Sequence, residues 1–272
     1  MNIEAWATTH IGLVRKSNQD SVGCFPELGL FIVADGMGGH ADGEVASSMA
    51  VAVIREFFDE TRAAAAASGG FLGWLRKLLR PAPTPAATGP GQLDAAVSLA
   101  NQRIYEVGQA NSSKGQERPL GTTVVVLTLA GGRACWAHVG DSRLYRLRGG
   151  QLELLTADHT LYGEPYLANP PIPLDVPHTN RLTQAVGIRQ DVAIASESDS
   201  VRPGDLFLLC SDGVSGFLEP AALHEKLTTQ PTLEAAGQSL IQSSLDAGGR
   251  DNASVVLVKV EGESLEDTIR TR

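Results

Sequence analysis

The chain has 272 residues, 43% of them apolar and 19% charged, with a formal net charge of −9. That length holds one domain with a sizeable core and is short for two, and the apolar fraction excludes wholesale disorder. The acidic balance argues against nucleic acid as the main partner, because phosphate backbones need clustered Lys and Arg; it suits a protein that gathers carboxylates around cations, or one that merely stays soluble.

Residues 1–12 lack a basic stretch followed by an apolar run, so no signal peptide is expected. No window approaches the ~18 continuous apolar residues of a membrane span, and a cytoplasmic protein is the expectation. The run at 28–34 reads as a strand, and 43–60 as a helix with Ala46, Ala50, Val53 and Phe57 on one face. Residues 61–91, rich in Ala, Gly and Pro, read as an insertion with flexible flanks. Inside it, Phe71, Leu72, Trp74, Leu75, Leu78 and Leu79 form an apolar stripe beside Arg76, Lys77 and Arg80. That pattern suits an amphipathic helix for a surface or partner, or one packed on its own domain. A second helix spans 92–110, with Leu93, Val97, Ala100, Ile104 and Val107 aligned. Strand-like runs follow at 122–129, 133–139, 144–148 and 151–155, the last two joined by a Gly149-Gly150 turn. Residues 162–177 carry five prolines and read as a loop. A strand at 206–210, helix within 220–245 and a Val-rich strand at 253–260 complete the chain. Strands in short-turn succession, with helices between groups of them, favour antiparallel sheets. Cys135 and Cys210 sit inside apolar runs, Cys24 does not, and no C-x-x-C pair occurs; the set reads as thiols of a reducing compartment.

The chemistry lies in a repeated pattern: an aspartate just beyond an apolar strand. Residues 31–34 deliver Asp35 and Gly36, 136–140 deliver Asp141, and 207–211 deliver Asp212; Asp251 precedes the last strand. Each alone reads more readily as a turn residue than as a ligand, and it is the surrounding context that changes the reading. If the strand ends converge, four carboxylates meet at one rim and repel one another. Hard divalent cations such as Mg²⁺ or Mn²⁺ relieve that repulsion, and they activate water for hydrolysis near neutral pH.

In order along the chain stand Arg15-Lys16-Ser17-Asn18-Gln19-Asp20, Asp35-Gly36-Met37-Gly38-Gly39-His40, Gly121-Thr122-Thr123, Gly140-Asp141-Ser142-Arg143, Asp158-His159, Ser211-Asp212-Gly213 and Asp251-Asn252-Ala253-Ser254. These segments resemble the bacterial form of the metal-dependent protein phosphatases of type 2C, over roughly residues 8–260 outside the insertion. The resemblance implies an α+β fold, a four-layer α-β-β-α sandwich of two antiparallel sheets flanked by helices. A single catalytic domain would span 1–262, with a short tail at 263–272. It implies a protein serine/threonine phosphatase in which a metal-activated water attacks phosphorus in line with the leaving oxygen. Asp35 would bridge two core Mn²⁺ or Mg²⁺ ions, and the Gly36 carbonyl would bind one of them. Asp212 and Asp251 would complete the other, and Asp141 with Asp212 would hold a third, weaker ion. Asp20 would orient water, and Arg15 would grip the phosphate with its planar fork of donors.

The implied partners are phosphorylated proteins and a bacterial Ser/Thr kinase whose work the enzyme opposes, with the enzyme itself a monomer. Three positions depart from the family pattern. Gln19 stands where the family usually has Glu. Met37 replaces the His of many eukaryotic members, which leaves His40 as either the general acid or a structural residue of the Gly-rich turn. The flap region at 161–181 is short and proline-rich. The competing reading is a pseudophosphatase, the same fold serving as a phosphoprotein-binding module; the full set Asp35, Asp141, Asp212 and Asp251 argues against it. Hydrolysis of another phosphate ester is a third reading.

Overall fold

The computed structural model describes residues 2–38, 41–67, 89–112, 120–161 and 181–261. The strands are β1 (Ile3–His10), β2 (Asp20–Phe25), β3 (Leu30–Met37), β4 (Gly121–Thr122), β5 (Val124–Ala130), β6 (Arg133–Val139), β7 (Arg143–Arg148), β8 (Gln151–Leu154), β9 (Ala195–Ser200), β10 (Leu206–Cys210) and β11 (Ala253–Val260). The helices are α1 (Ala41–Ala67), α2 (Pro90–Ser112), the single turn α3 (Asp212–Ser215), α4 (Pro220–Thr229) and α5 (Leu233–Asp246). One sheet has the order β1-β11-β10-β7-β8; the other has β2-β3-β5-β6-β9, with β4 paired to β3. The strand pairs are antiparallel.

The layering follows from the two-residue period of strands whose two faces are both apolar. In β3, Leu30, Ile32 and Ala34 join the core beneath α1 and α2, while Phe31 and Val33 point into the core between the sheets. In β10, Leu206, Leu208 and Cys210 pack with Leu223 of α4 and Leu240 of α5, while Phe207 and Leu209 face the other sheet. Three separate cores therefore stack helix on sheet, sheet on sheet and sheet on helix, which is the expected α-β-β-α sandwich. Cys135 and Cys210 are buried free thiols, as their apolar setting implies. At one edge the sheets are tied by charge. Arg146 of β7, 7% exposed, donates to Asp199 of β9 and Glu153 of β8, and Arg148 makes a two-pronged pair with buried Asp205.

Several boundaries differ from the sequence reading. Residues 61–67, Thr-Arg followed by five Ala, continue α1, because Ala is the best helix former, so the first part of the expected insertion is helical. The amphipathic stripe at 71–80 and the proline-rich loop at 162–177 lie outside the described residues, as does the 263–272 tail. The expected strand at 122–129 is broken at Thr123 into β4 and β5. The expected helix at 220–245 is broken by residues 230–232, where Pro231 cannot donate a backbone bond and Thr232 caps α5. Strands β1, β2 and β9 carried too little apolar periodicity to be read; β9, ASESDS, is a polar edge strand. No helix among the described residues is long and apolar enough to cross a membrane.

The fully buried Phe207 fills the inter-sheet core. Phe207→Ala is expected to lower the unfolding free energy by ~3–5 kcal/mol in a urea titration, while Leu154→Ala on the exposed strand β8 stays within about 0.5 kcal/mol of the parent. A Phe207→Ala loss below about 1 kcal/mol would show that the sheets do not depend on that layer.

Candidate metal centre

The strand ends do converge. A cavity of ≈ 250 Å³ is lined by Asp35, Asp141, Asp212 and Asp251 together with Arg15, Gln19, Gly36 and Met37. Asp141 follows the Gly140 turn after β6, Asp212 opens the single turn α3 after β10, and Asp251 precedes β11 by two residues. Asp35 departs from the expected placement. It lies within β3, opposite Asp20 of β2, and the strand runs on to Met37 through pairing with β4. Ladder bonds on both sides thus hold its backbone more tightly than a strand end would. Gly36 has no room for a side chain: a Cβ there would lie 2.1 Å from the Gly43 carbonyl oxygen and 2.5 Å from that of Gln19. His40 lies outside the described residues.

Residues of the same motifs, given no role by the sequence reading, do the positioning. The Asp35 carbonyl accepts from the Thr123 backbone N–H at 2.8 Å and from Thr122 Oγ1 at 2.9 Å, and its N–H donates to Thr123 Oγ1 at 3.1 Å. Thr123 Oγ1 also meets Ser142 Oγ at 2.7 Å, which couples the Asp35 strand to the Asp141 turn. Arg143 clasps Asp158 through two bonds of 2.9 and 2.7 Å. His159 donates its N–H to the Gly140 carbonyl at 2.9 Å. Asn252 takes the Gln19 N–H at 2.8 Å and donates to the carbonyls of Ile11 and Ser17, so it draws the Arg15 loop onto the Asp251 turn. The signal available in the sequence was motif membership; which motif each residue grips is a matter of long-range geometry.

Asp20 is buried behind the cavity. Ser211 and Ser254 donate to its Oδ2 at 2.8 and 2.7 Å, and burial nonetheless raises its pKa to about 6, with those two bonds opposing the rise. Burial, then the charge of Asp212, raises Asp141 to about 7. Burial and the charges of Asp20 and Asp212 push Asp35 well above the usual carboxylate range, and burial and Asp251 push Asp212 up. Arg15 sits against Asp251, Nη2 to Oδ2 at 2.6 Å. The pair is half-exposed on the Arg15 side, so it contributes only about 0–1 kcal/mol and is easily exchanged.

A hard dication fits this donor set. Asp20 Oδ1 and Asp212 Oδ1 are buried with no hydrogen-bond partner, and the cluster carries more negative charge than one arginine balances. Among the described residues no three His, Cys, Asp or Glu side chains close on one point by themselves. Sites for Mg²⁺-like ions do not need them to, because one or two carboxylates with carbonyl and water ligands suffice.

A family profile, Protein phosphatase 2C, matches residues 10–252. The serine/threonine phosphatase stp of Listeria monocytogenes is 31% identical over 92% of this chain and 93% of its own length. The solved Streptococcus agalactiae serine/threonine phosphatase superposes with a TM-score of 0.77 at 31% identity, covering 96% of this chain and 100% of that one. The catalytic domain of the phosphatase PstP, in complex with two manganese ions, gives a TM-score of 0.74 at 30% identity over 96% of this chain and 99% of that one. The chain belongs to the protein phosphatase 2C family, the manganese- or magnesium-dependent protein serine/threonine phosphatases.

Two outcomes follow from the charges. Asp141 holds its proton to about pH 7 in the folded chain, against 3.8 ordinarily. Stability on this account is greatest below pH 4 and falls as pH rises through 7, where the folded carboxyl must ionise. Metal-free Asp141→Asn is therefore expected to melt above the parent at pH 8, with the gain shrinking steadily toward pH 4; a gain independent of pH would refute the assignment. Gln19 lines the cavity beside Gly36, its carbonyl taking the Gly36 N–H at 3.0 Å. Gln19→Glu adds a charge at that point and is expected to tighten Mn²⁺ binding ~10-fold by isothermal titration, within the range of such neighbouring changes. Equal or weaker affinity would remove residue 19 from the ion's surroundings.

Proposed function

We propose that this phosphatase removes phosphate from phosphoserine and phosphothreonine placed on bacterial proteins by a Ser/Thr kinase, and that it works in the cytoplasm as a monomer with one catalytic domain over residues 1–262. The convergence of Asp35, Asp141, Asp212, Asp251 and Arg15 on one cavity carries the reading. Asp35, the Gly36 carbonyl, Asp212 and Asp251 would hold two core ions, and Asp141 with Asp212 a third. Bound there, such ions supply the Lewis acidity that makes water a nucleophile at neutral pH and offsets phosphoryl charge.

The chain's own groups supply the remainder. Arg15 exchanges its weak pairing with Asp251 for two parallel bonds to the phosphoryl oxygens, a better match to its fork. Because those oxygens remain bound as charge develops, the contact acts on the transition state as well as on binding. Asp20, held by Ser211 and Ser254 through one oxygen, keeps the other free to accept from water and fix its orientation. The water gives up one proton to solvent as its oxygen bonds to phosphorus and the seryl or threonyl O–P bond breaks, and the departing oxygen takes a proton, for which His40 is the candidate donor. A phosphorylated enzyme intermediate is not required.

Chelation with EDTA is expected to abolish turnover of p-nitrophenyl phosphate, with Mn²⁺ restoring it. Asp35→Asn or Asp212→Asn should lose on the order of 100-fold or more in kcat while remaining folded by circular dichroism. Arg15→Ala should raise KM for a phosphopeptide and lower kcat together. Full activity in chelated protein, or wild-type kinetics in Arg15→Ala, would overturn the scheme.

A further inference from the structure

The loop that carries Arg15 also carries the most exposed large apolar side chains of the described residues. Leu13 is 66% exposed and Val14 65%, and Ile11 stands beside them at 36%. Single exposed apolar residues need no explanation, but an adjacent pair next in sequence to the cavity-lining Arg15 does. This loop cannot fold the pair inward. The Leu13 N–H donates to the Gly249 carbonyl at 2.7 Å, and Asn252 grips the carbonyls of Ile11 and Ser17 on either side. Gly12, with φ at 82°, lies so close to the Asp251 turn that a Cβ would come 2.2 Å from the Asp251 carbonyl oxygen. The backbone is stapled to the Asp251 turn, the Leu13 side chain lies over Gly249, and both apolar side chains stay exposed on the loop that leads into Arg15.

We propose that Leu13 and Val14 form a subsite for an aliphatic side chain next to the phosphorylated residue of a protein substrate. The assignment rests on Arg15 as the phosphate grip. Its occupant follows from continuity: Val14 adjoins Arg15, which lines the cavity, and an extended peptide advances about 3.3–3.6 Å per residue. A side chain one or two residues from the phosphorylated one therefore comes level with the pair. The exposed cation Lys16 follows on the same loop, so the surface offers an apolar step and positive charge side by side, as suits a phosphorylated segment with aliphatic neighbours. Burial of one aliphatic side chain against such a step changes specificity roughly 10-fold.

The test compares two phosphothreonine peptides with Mn²⁺-loaded full-length protein. One has Leu at the two positions on each side of the phosphothreonine and the other has Ser there. The readout is the ratio of their kcat/KM values, in which any disturbance of Arg15 cancels. The parent is expected to favour the Leu peptide ~10-fold, chiefly through KM, and the Leu13→Ser/Val14→Ser double variant to bring the ratio near one. Should the double variant be inactive, Leu13→Ala read in the same way is expected to give an intermediate ratio. A parental ratio near one, a ratio unchanged in the variants, or a parental dimer in sedimentation that the double variant dissolves would each overturn the subsite; the last would assign the patch to a second copy of the chain. Metal-dependent turnover without a Leu preference refutes the subsite alone, whereas no turnover of either peptide refutes the phosphatase reading with it.

Discussion

Carboxylates forced together in one cavity repel, and the rest of the structure is arranged around tolerating that repulsion. Asp35, Asp141 and Asp212 all have their pKa values raised by burial and by neighbouring carboxylates, and Asp20 behind them is raised as well. Arg15, paired with Asp251, offsets the charge on Asp212, and Arg143 offsets that on Asp141. Without dications the centre is a source of instability held open by the surrounding scaffold; on the proposed reading the same charges would serve as ligands. The cost to the fold and the capacity for chemistry thus have one origin.

The scaffold that bears this load is a sandwich whose three apolar cores leave the polar rim at one end. Strands such as β3, β10 and β11 are apolar on both faces, so each is gripped from both sides and its terminus is positioned with little freedom. Short hydroxyl and amide contacts then set the last few ångströms. Thr123 fastens Asp35 to the Asp141 turn, Ser211 and Ser254 hold Asp20, and Asn252 joins the Arg15 loop to the Asp251 turn. Each motif holds a neighbouring motif, so the residues between the aspartates are as much a part of the centre as the aspartates themselves.

The same coupling explains how the rim meets a substrate. Because Asn252 and Gly249 hold the 11–17 loop, Arg15 and the exposed Leu13 and Val14 are carried on one pinned segment. On the proposed reading a substrate would meet that segment already ordered, which is the general advantage of a preformed site.

Local pattern was enough to reveal the buried strands at 28–34, 133–139, 206–210 and 253–260, the two long helices, and the aspartates following or preceding those strands, because burial on both faces demands continuous apolar runs and the ligands must be carboxylates. It did not reveal β1, β2 or the polar edge strand β9, whose pairing partners supply what their own side chains do not. It also placed Asp35 beyond a strand that in fact continues through it, since the extension depends on β4, which lies 84 or more residues later in the chain. Tertiary structure alone decided that Arg15 rests on Asp251 across a separation of 236 residues, and that Asp20 is held by serines 191 and 234 residues away. Such contacts leave no periodic trace in either segment, because a hydrogen bond depends on where two groups meet in space and not on the composition around either one.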